Sequence, residues 1–174
     1  IEKGESVKAI IAIDEYKEGR FFMFYTADGI VKRTPVSEYE SIRQNGKIAI
    51  TMREGDALIA VKEVSEYFEG QVDKDGNPVK LITGIAANNG KMVNFPVDEV
   101  RPMGRTASGV KGIELDGEDK AVGCVASYEG DKILVITDKG FGKLTNFFDE
   151  DGEPVYRITK RGTKGVLTIK ENDL

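Results

Sequence analysis

The chain is expected to be all-β, a partial propeller-like array of about three four-stranded blades. Three observations predict this. A pattern of roughly fifty to sixty residues recurs along the chain, the mark of an array of stacked units. Each repeat carries a hairpin signal in the same place, and helical periodicity is almost absent.

The units are expected at about 5–55, 56–118 and 119–173, within one fragment spanning 1–174. Each opens on an acidic turn and an apolar strand: "GESVKAIIAI" (Gly4–Ile13), "GDALIAVKEV" (Gly55–Val64) and "EDKAVGCVAS" (Glu118–Ser127). A strand, a Gly turn and a second strand follow: "FFMFYTADGIVKRTP", "LITGIAANNGKMVNFP" and "ILVITDKGFGKLTNF". Asp28–Gly29 and Asn89–Gly90 are strong hairpin signals because both residues tolerate the positive φ of a tight turn, and Lys139–Gly140 fills the same slot. A basic, Gly-containing turn then feeds a fourth strand, "KIAITM", "GIEL" or "GVLTI". The one helical candidate is Pro35–Gln44, with Ser37 as N-cap and Glu40 three residues on.

Two insertions, Gln71–Val79 and Phe147–Val155, interrupt the repeat, and each holds Asp-Gly followed by Pro, a turn signature. Asp73, Asp75 and Asn77 are spaced like the start of a calcium loop, but the trailing bidentate Glu is missing, so a plain turn is expected.

The 174 residues carry a formal net charge of −5, no histidine and a lone cysteine, Cys124. Without histidine the commonest general base and metal ligand are gone, which argues against a self-contained hydrolase or zinc enzyme. A lone cysteine forbids an intrachain disulfide and fits a reducing, intracellular location, with Cys124 a small core residue. No apolar run approaches the roughly 20 residues of a membrane-spanning helix. The chain opens on Ile1, which fits an excised domain.

Charge distribution says more than its sum. Arg43, Lys47 and Arg53 lie between Ser41 and Arg53 with no acid; Arg101, Arg105 and Lys111 lie likewise between Arg101 and Ile113. Arg157, Lys160, Arg161, Lys164 and Lys170 fill Tyr156–Lys170. All three segments fall at one place in the repeat, so a basic rim on an acidic body is expected. Repeated cations on a curved edge suit the phosphates of duplex DNA, and no recognition helix stands out. The candidate contacts are Arg43, Lys47, Arg105, Lys111, Lys160, Arg161 and Lys164 in the basic turns. Lys32, Arg33, Lys91 and Lys143, after the hairpin glycines, are weaker ones. Glycine among these charges is expected to let backbone N–H groups approach a phosphate. A scaffold whose basic rim docks an acidic protein is the alternative.

"FFMFYTADGIVKRTPVSEYESIRQNGKIAI", "VRPMGRTASGVKGIEL" and "YRITKRGTKGVLTIK" resemble the C-terminal domain of bacterial DNA gyrase A. Val100–Leu115 is the most specific stretch, and the resemblance covers all but the insertions. It implies a β-pinwheel, in which neighbouring blades exchange strands and duplex DNA wraps the outer rim. It further implies a non-catalytic module of an enzyme that supercoils DNA with ATP and Mg, assembled as A2B2 with gyrase B in the bacterial cytoplasm, at the nucleoid. No cofactor is expected in this fragment itself. The family's Gln-Arg-Arg-Gly-Gly-Lys-Gly box is absent, with "IRQNGK" and "KRGTKG" as degenerate counterparts, so wrapping that depends on the box is not implied. The equivalent domain of topoisomerase IV would share this chemistry.

Overall fold

In a computed structural model the described residues are 4–41 and 46–169. The strands are β1 (Phe21–Thr26), β2 (Ile30–Pro35), β3 (Leu58–Val64), β4 (Tyr67–Val72), β5 (Pro78–Lys80) and β6 (Ile82–Ala87). They continue with β7 (Lys91–Pro96), β8 (Val110–Lys111), β9 (Ala121–Ala126), β10 (Lys132–Ile136), β11 (Gly142–Asn146) and β12 (Val166–Leu167). There is no α-helix among the described residues. The helical candidate after Pro35 shrinks to one 3-10 turn, Val36–Tyr39, with no side-chain cap bond. Ser37 does not cap it; its carbonyl accepts the Glu40 N–H at 3.3 Å, an i to i+3 bond. The equivalent Val97–Glu99 forms a similar turn.

Two four-stranded antiparallel sheets form, in the orders β3-β1-β2-β8 and β12-β7-β6-β9; β10-β11 and β4-β5 are separate hairpins. The sheets cross the boundaries of the sequence units. Hairpin β1–β2 of the first unit is flanked by β3 and β8, both from the second. Hairpin β6–β7 is flanked by β9 and β12, both from the third. The opening and closing strands of each unit thus complete the sheet of the unit before. This also explains why Gly4–Ile13 and Lys47–Met52, expected as strands, join no sheet: among the described residues no earlier hairpin receives them. At the other end, the flanks of β10 and β11 are unfilled among the described residues, and Leu134, Ile136 and Leu144 are exposed.

Three apolar layers alternate with the sheets. Phe22 and Phe24 on one face of β1 pack on Ile11, Ile13, Tyr39 and Ile50. Met23 and Tyr25 on the other face join Ile85, Val93, Phe95 and Ile113 in the central core. Ile82 and Met92 turn toward Ile133, Phe147 and Tyr156. Alternation along a strand of period two feeds both layers, which is why β1 is apolar throughout. Across the central layer the Tyr25 hydroxyl meets Thr83 Oγ1 at 2.6 Å, a buried polar pin between the two sheets. Cys124 is half-buried beside that core, and burial pushes its thiol up to about 11.

The hairpin turns share one geometry. Gly29, Gly90 and Gly140 have φ of 75°, 77° and 85°, and no described non-glycine residue has positive φ. Asp28 and Asn89 therefore do not adopt the paired positive φ of a two-residue turn. The first two loops have three residues and end on the left-handed Gly, while the third spans 137–141 around it; in all three the Gly N–H donates three residues back at 3.0 Å. The insertions share a turn too. Asp73 Oδ1 accepts the N–H of Asp75 (2.9 Å) and Asn77 (2.8 Å), and Asp149 Oδ1 accepts those of Asp151 (3.0 Å) and Glu153 (2.9 Å). The Asp73 carboxylate is thereby engaged by its own loop, which holds its pKa below the usual range.

Two glycines of the basic turns have a packing role. At Gly109 (φ 93°) a Cβ would lie 2.6 Å from the Val31 carbonyl oxygen, and at Gly165 (φ 77°) it would overlap the Met92 carbonyl. Gly112 N–H and Thr168 N–H then reach the carbonyls of Gly29 (2.8 Å) and Gly90 (2.9 Å). These glycines admit the backbone of the preceding hairpin. Gly165→Ala is expected to destabilise the fold by well over the about 1–2 kcal/mol of left-handed strain alone. Gly76→Ala, with φ 81° and open space around it, should lose only that strain. Urea unfolding midpoints for the two variants check this, and equal losses would refute the close-approach role.

Candidate nucleic-acid interface

The hairpin–flank arrangement brings the basic turns side by side. From the second turn, Ala107 O accepts the Thr51 N–H (3.3 Å) and Thr106 O accepts Thr51 Oγ1–H (2.6 Å). From the third turn, Thr163 O accepts the Glu114 N–H (2.8 Å), and Gly162 N–H donates to Gly112 O (2.6 Å). Each turn therefore lies against the basic strand of the unit before it.

The candidates sort into four groups. Lys111, Lys160, Lys164 and Lys143 are exposed, and Lys47 and Lys91 are partly so. Among the described residues no acid pairs with Lys111 or Lys160 within 4.0 Å. Lys47 donates to the Glu38 carbonyl at 3.2 Å. Lys164 is paired with Asp116 at 2.7 Å, an exposed contact that raises the ammonium and lowers the carboxyl.

Arg105 and Arg161 form the second group, half-buried in the same slot one repeat apart. Arg105 Nη1–H donates to Ile48 O (3.2 Å), with Glu38 Oε2 3.8 Å from Nε. Arg161 donates from Nη1 to Lys111 O (3.1 Å) and from Nε to Glu99 O (3.2 Å), while Glu99 Oε2 accepts its backbone N–H (3.2 Å).

Lys32 and Arg33 are corrections, because their side chains cannot reach an external phosphate. Lys32 is 0% exposed and Arg33 2%. Arg33 lies over the Phe21 ring and pairs with Glu66 at 2.7 Å. Lys32 Nζ–H donates to the carbonyls of Ala49 (2.5 Å) and Arg105, next to the Phe24 ring. Register explains the burial: both lie mid-strand in β2, between β1 and the residues around Pro102. The fourth group is Arg43, which lies outside the described residues.

One constellation has no counterpart among the expected contacts. Three residues beyond their hairpin glycines, Lys32 and Lys143 do the same thing: Lys143 Nζ–H donates to Thr168 O (3.2 Å), as Lys32 does to Ala49 O. Tyr39 and Tyr156 hydroxyls donate to those same two carbonyls, at 3.2 and 3.1 Å. Each pair pins the basic strand of a unit to its own hairpin. The middle unit has Val93 and Val100 at these places, so the signal lay in two repeats of three. The acids beside the arginines were legible in the repeated Pro-Val-x-Glu of 35–38 and 96–99, which puts Glu38 and Glu99 in register.

An all-β array that shares each sheet between consecutive repeats, with each basic turn docked on the one before, is a strand-exchanged member of the propeller class. The chain matches the family described as DNA gyrase C-terminal domain, beta-propeller, over residues 21–65, 85–127, 131–149 and 155–174, and it belongs to that family. The first insertion falls within a gap of this match, and the second spans another. The chain is 44% identical over 173 residues to the DNA gyrase A protein of Ureaplasma parvum serovar 3, covering 99% of this chain and 18% of that protein. It is 38% identical over 171 residues to the DNA gyrase A protein of Staphylococcus aureus (strain MRSA252), covering 97% of this chain and 17% of that protein. The chain thus spans under a fifth of the length of these relatives. In fold it resembles the C-terminal domain of DNA topoisomerase IV (TM-score 0.76, 23% identity, 96% of this chain and 46% of that one). The DNA gyrase A C-terminal domain is also similar (TM-score 0.67, 19% identity, 91% and 48%). No helix among the described residues is long and apolar enough to cross a membrane.

Burial lowers the Lys32 ammonium to about 8, Arg105 adding to the shift and Glu38 opposing it. Between that value and the unfolded value near 10.5 the unfolded chain holds more protons, so this group makes stability rise with pH there. The stability of the native chain relative to Lys32→Met should therefore rise by about 1 kcal/mol per pH unit from pH 8 to 10. Urea titrations across that range check it; a difference independent of pH refutes the assignment.

Proposed function

We propose that the chain is a non-catalytic module that binds duplex DNA without sequence preference and holds it bent along the successive basic turns. In this role it serves gyrase A, in a holoenzyme with gyrase B that supercoils DNA in the bacterial cytoplasm. ATP and Mg would act elsewhere in that assembly. The observation that carries the proposal is the repeated docking of one basic turn on the strand of the turn before. It supports a reading in which Lys47, Lys111 and Lys160 follow one another along one edge, as a ligand with evenly spaced phosphates requires. Base sequence then enters only through the ease of bending the duplex, since no α-helix among the described residues is available to enter a groove.

Membership in the gyrase family favours this over a protein-docking scaffold. Binding measured on duplexes of increasing length should tighten markedly once the DNA spans two or more turns, with a log–log salt slope of about −4 to −7 on the long duplex. Affinity independent of length would refute wrapping and favour the scaffold.

The Lys164–Asp116 pair supplies a second test. Asp116→Asn removes a carboxylate beside an exposed lysine and releases that lysine to a phosphate. Affinity for a long duplex at low salt should rise, and the salt slope should steepen by up to about one. Weaker binding would put Lys164 off the DNA path.

A further inference from the structure

We infer that Arg105 and Arg161 are positioning residues: each clamps one basic turn to the strand before it and so sets the spacing at which exposed lysines meet successive phosphates. The inference rests on the DNA reading above and gives these two cations a different task from the lysines. They occupy one slot in consecutive repeats. Each donates from Nη1 to a carbonyl of the preceding basic strand, Ile48 O or Lys111 O. Each also leans on a glutamate from the 3-10 turn of that preceding unit, Glu38 or Glu99. The carbonyls they hold belong to the lysine-bearing segments: Ile48 follows Lys47, and Lys111 is itself a candidate contact.

A guanidinium suits this task because its rigid planar fork offers donors on separate nitrogens to acceptors lying in two directions. Its neighbours count against direct phosphate duty. The Glu99 carboxylate accepts the Arg161 backbone N–H, so an incoming phosphate would face a carboxylate beside the guanidinium. Around Arg105 the joint also holds Thr51 on Thr106 and Ala107, with Lys32 Nζ donating to both Ala49 O and Arg105 O; around Arg161 it holds Glu114 and Gly162 on Thr163 and Gly112, with Lys164 paired to Asp116. Among these contacts the arginine is the one whose side chain ties the turn at once to the basic strand and to the 3-10 turn of the unit before, which opposes sliding of the turns past one another. Rigidly spaced lysines make the second phosphate contact effectively intramolecular, whereas loosely joined turns would bind as separate weak sites.

Arg161→Lys separates position from charge. In that variant the amides of Gly162 and Glu114 should exchange with solvent about tenfold faster or more, because the joint opens locally. Affinity for a short duplex covering a single turn should stay within about twofold, while the extra affinity of a long duplex should fall about fivefold or more. Arg161→Gln should then repeat the long-duplex loss with little change of salt slope. Unchanged exchange in Arg161→Lys overturns the clamp. Faster exchange with the long-duplex gain intact overturns its role in spacing. An Arg161→Gln slope shallower by about 0.9, with Arg161→Lys like the native chain at every length, identifies an ordinary phosphate ligand instead. If the native chain shows no length-dependent affinity, the DNA proposal fails on its own account, and the exchange rates still decide whether the arginine is a clamp.

Discussion

The structure depends on one close approach of backbone to backbone. The turn before each flanking strand presses a glycine, Gly109 or Gly165, against the hairpin of the preceding unit, at Val31 or Met92. Only from there do Gly112 and Thr168 reach the hairpin-glycine carbonyls. A side chain at either glycine would push the strand off its partner and take the buried apolar layer with it. The acidic turns complete the grip from the other side: Asp56 Oδ1 accepts the Asp28 N–H at 2.8 Å, and Asp119 Oδ2 accepts from Asn89 Nδ2 at 2.7 Å. Acids that look like surface decoration in the sequence are therefore seats for the hairpin tips.

Charge in this protein is divided between scaffold and surface. Lys32 and Arg33 are interior cations, each given acceptors and an aromatic face in place of water. Such burial is sustainable only where partners are in place, which ties both residues to the fold and away from solvent. Lys111 and Lys160, with no described acid within 4.0 Å, are the cations most available to an outside anion. Arg105 and Arg161 stand between these extremes.

Much of the architecture was legible in the chain. Apolar runs on either side of a turn glycine marked β1–β2, β6–β7 and β10–β11, because hairpins are local and their signals lie within about fifteen residues. What the residues alone did not reveal was which strands flank them. Pairing between Leu58 and Thr26, or Lys111 and Ile30, is a long-range matter, and a flank looks the same whether it joins its own hairpin or the previous one. The short flanks were misread for a related reason: the strand expected at Gly112–Leu115 falls instead at Val110–Lys111, and the one expected over 165–169 shrinks to Val166–Leu167, both held through glycine contacts more than through a long ladder. For the interface, the basic segments could be read from the residues but the side-chain directions could not. Lys32 and Lys143 occupy equal positions in their hairpins, yet only Lys32 is covered by the turn of a following unit, through Arg105.

The shared sheets have a consequence for how the protein comes off the ribosome. The first hairpin is finished as soon as Pro35 emerges, but its sheet waits for Leu58–Val64 and then for Lys111. Until then the unfilled edges of β1 and β2 are unshielded, and each new unit repairs the exposure left by the last while creating its own. During synthesis each sheet can close only after a later segment emerges, and such long-range closures slow each step. A premature stop would accordingly harm the unit before the break as much as the one it truncates.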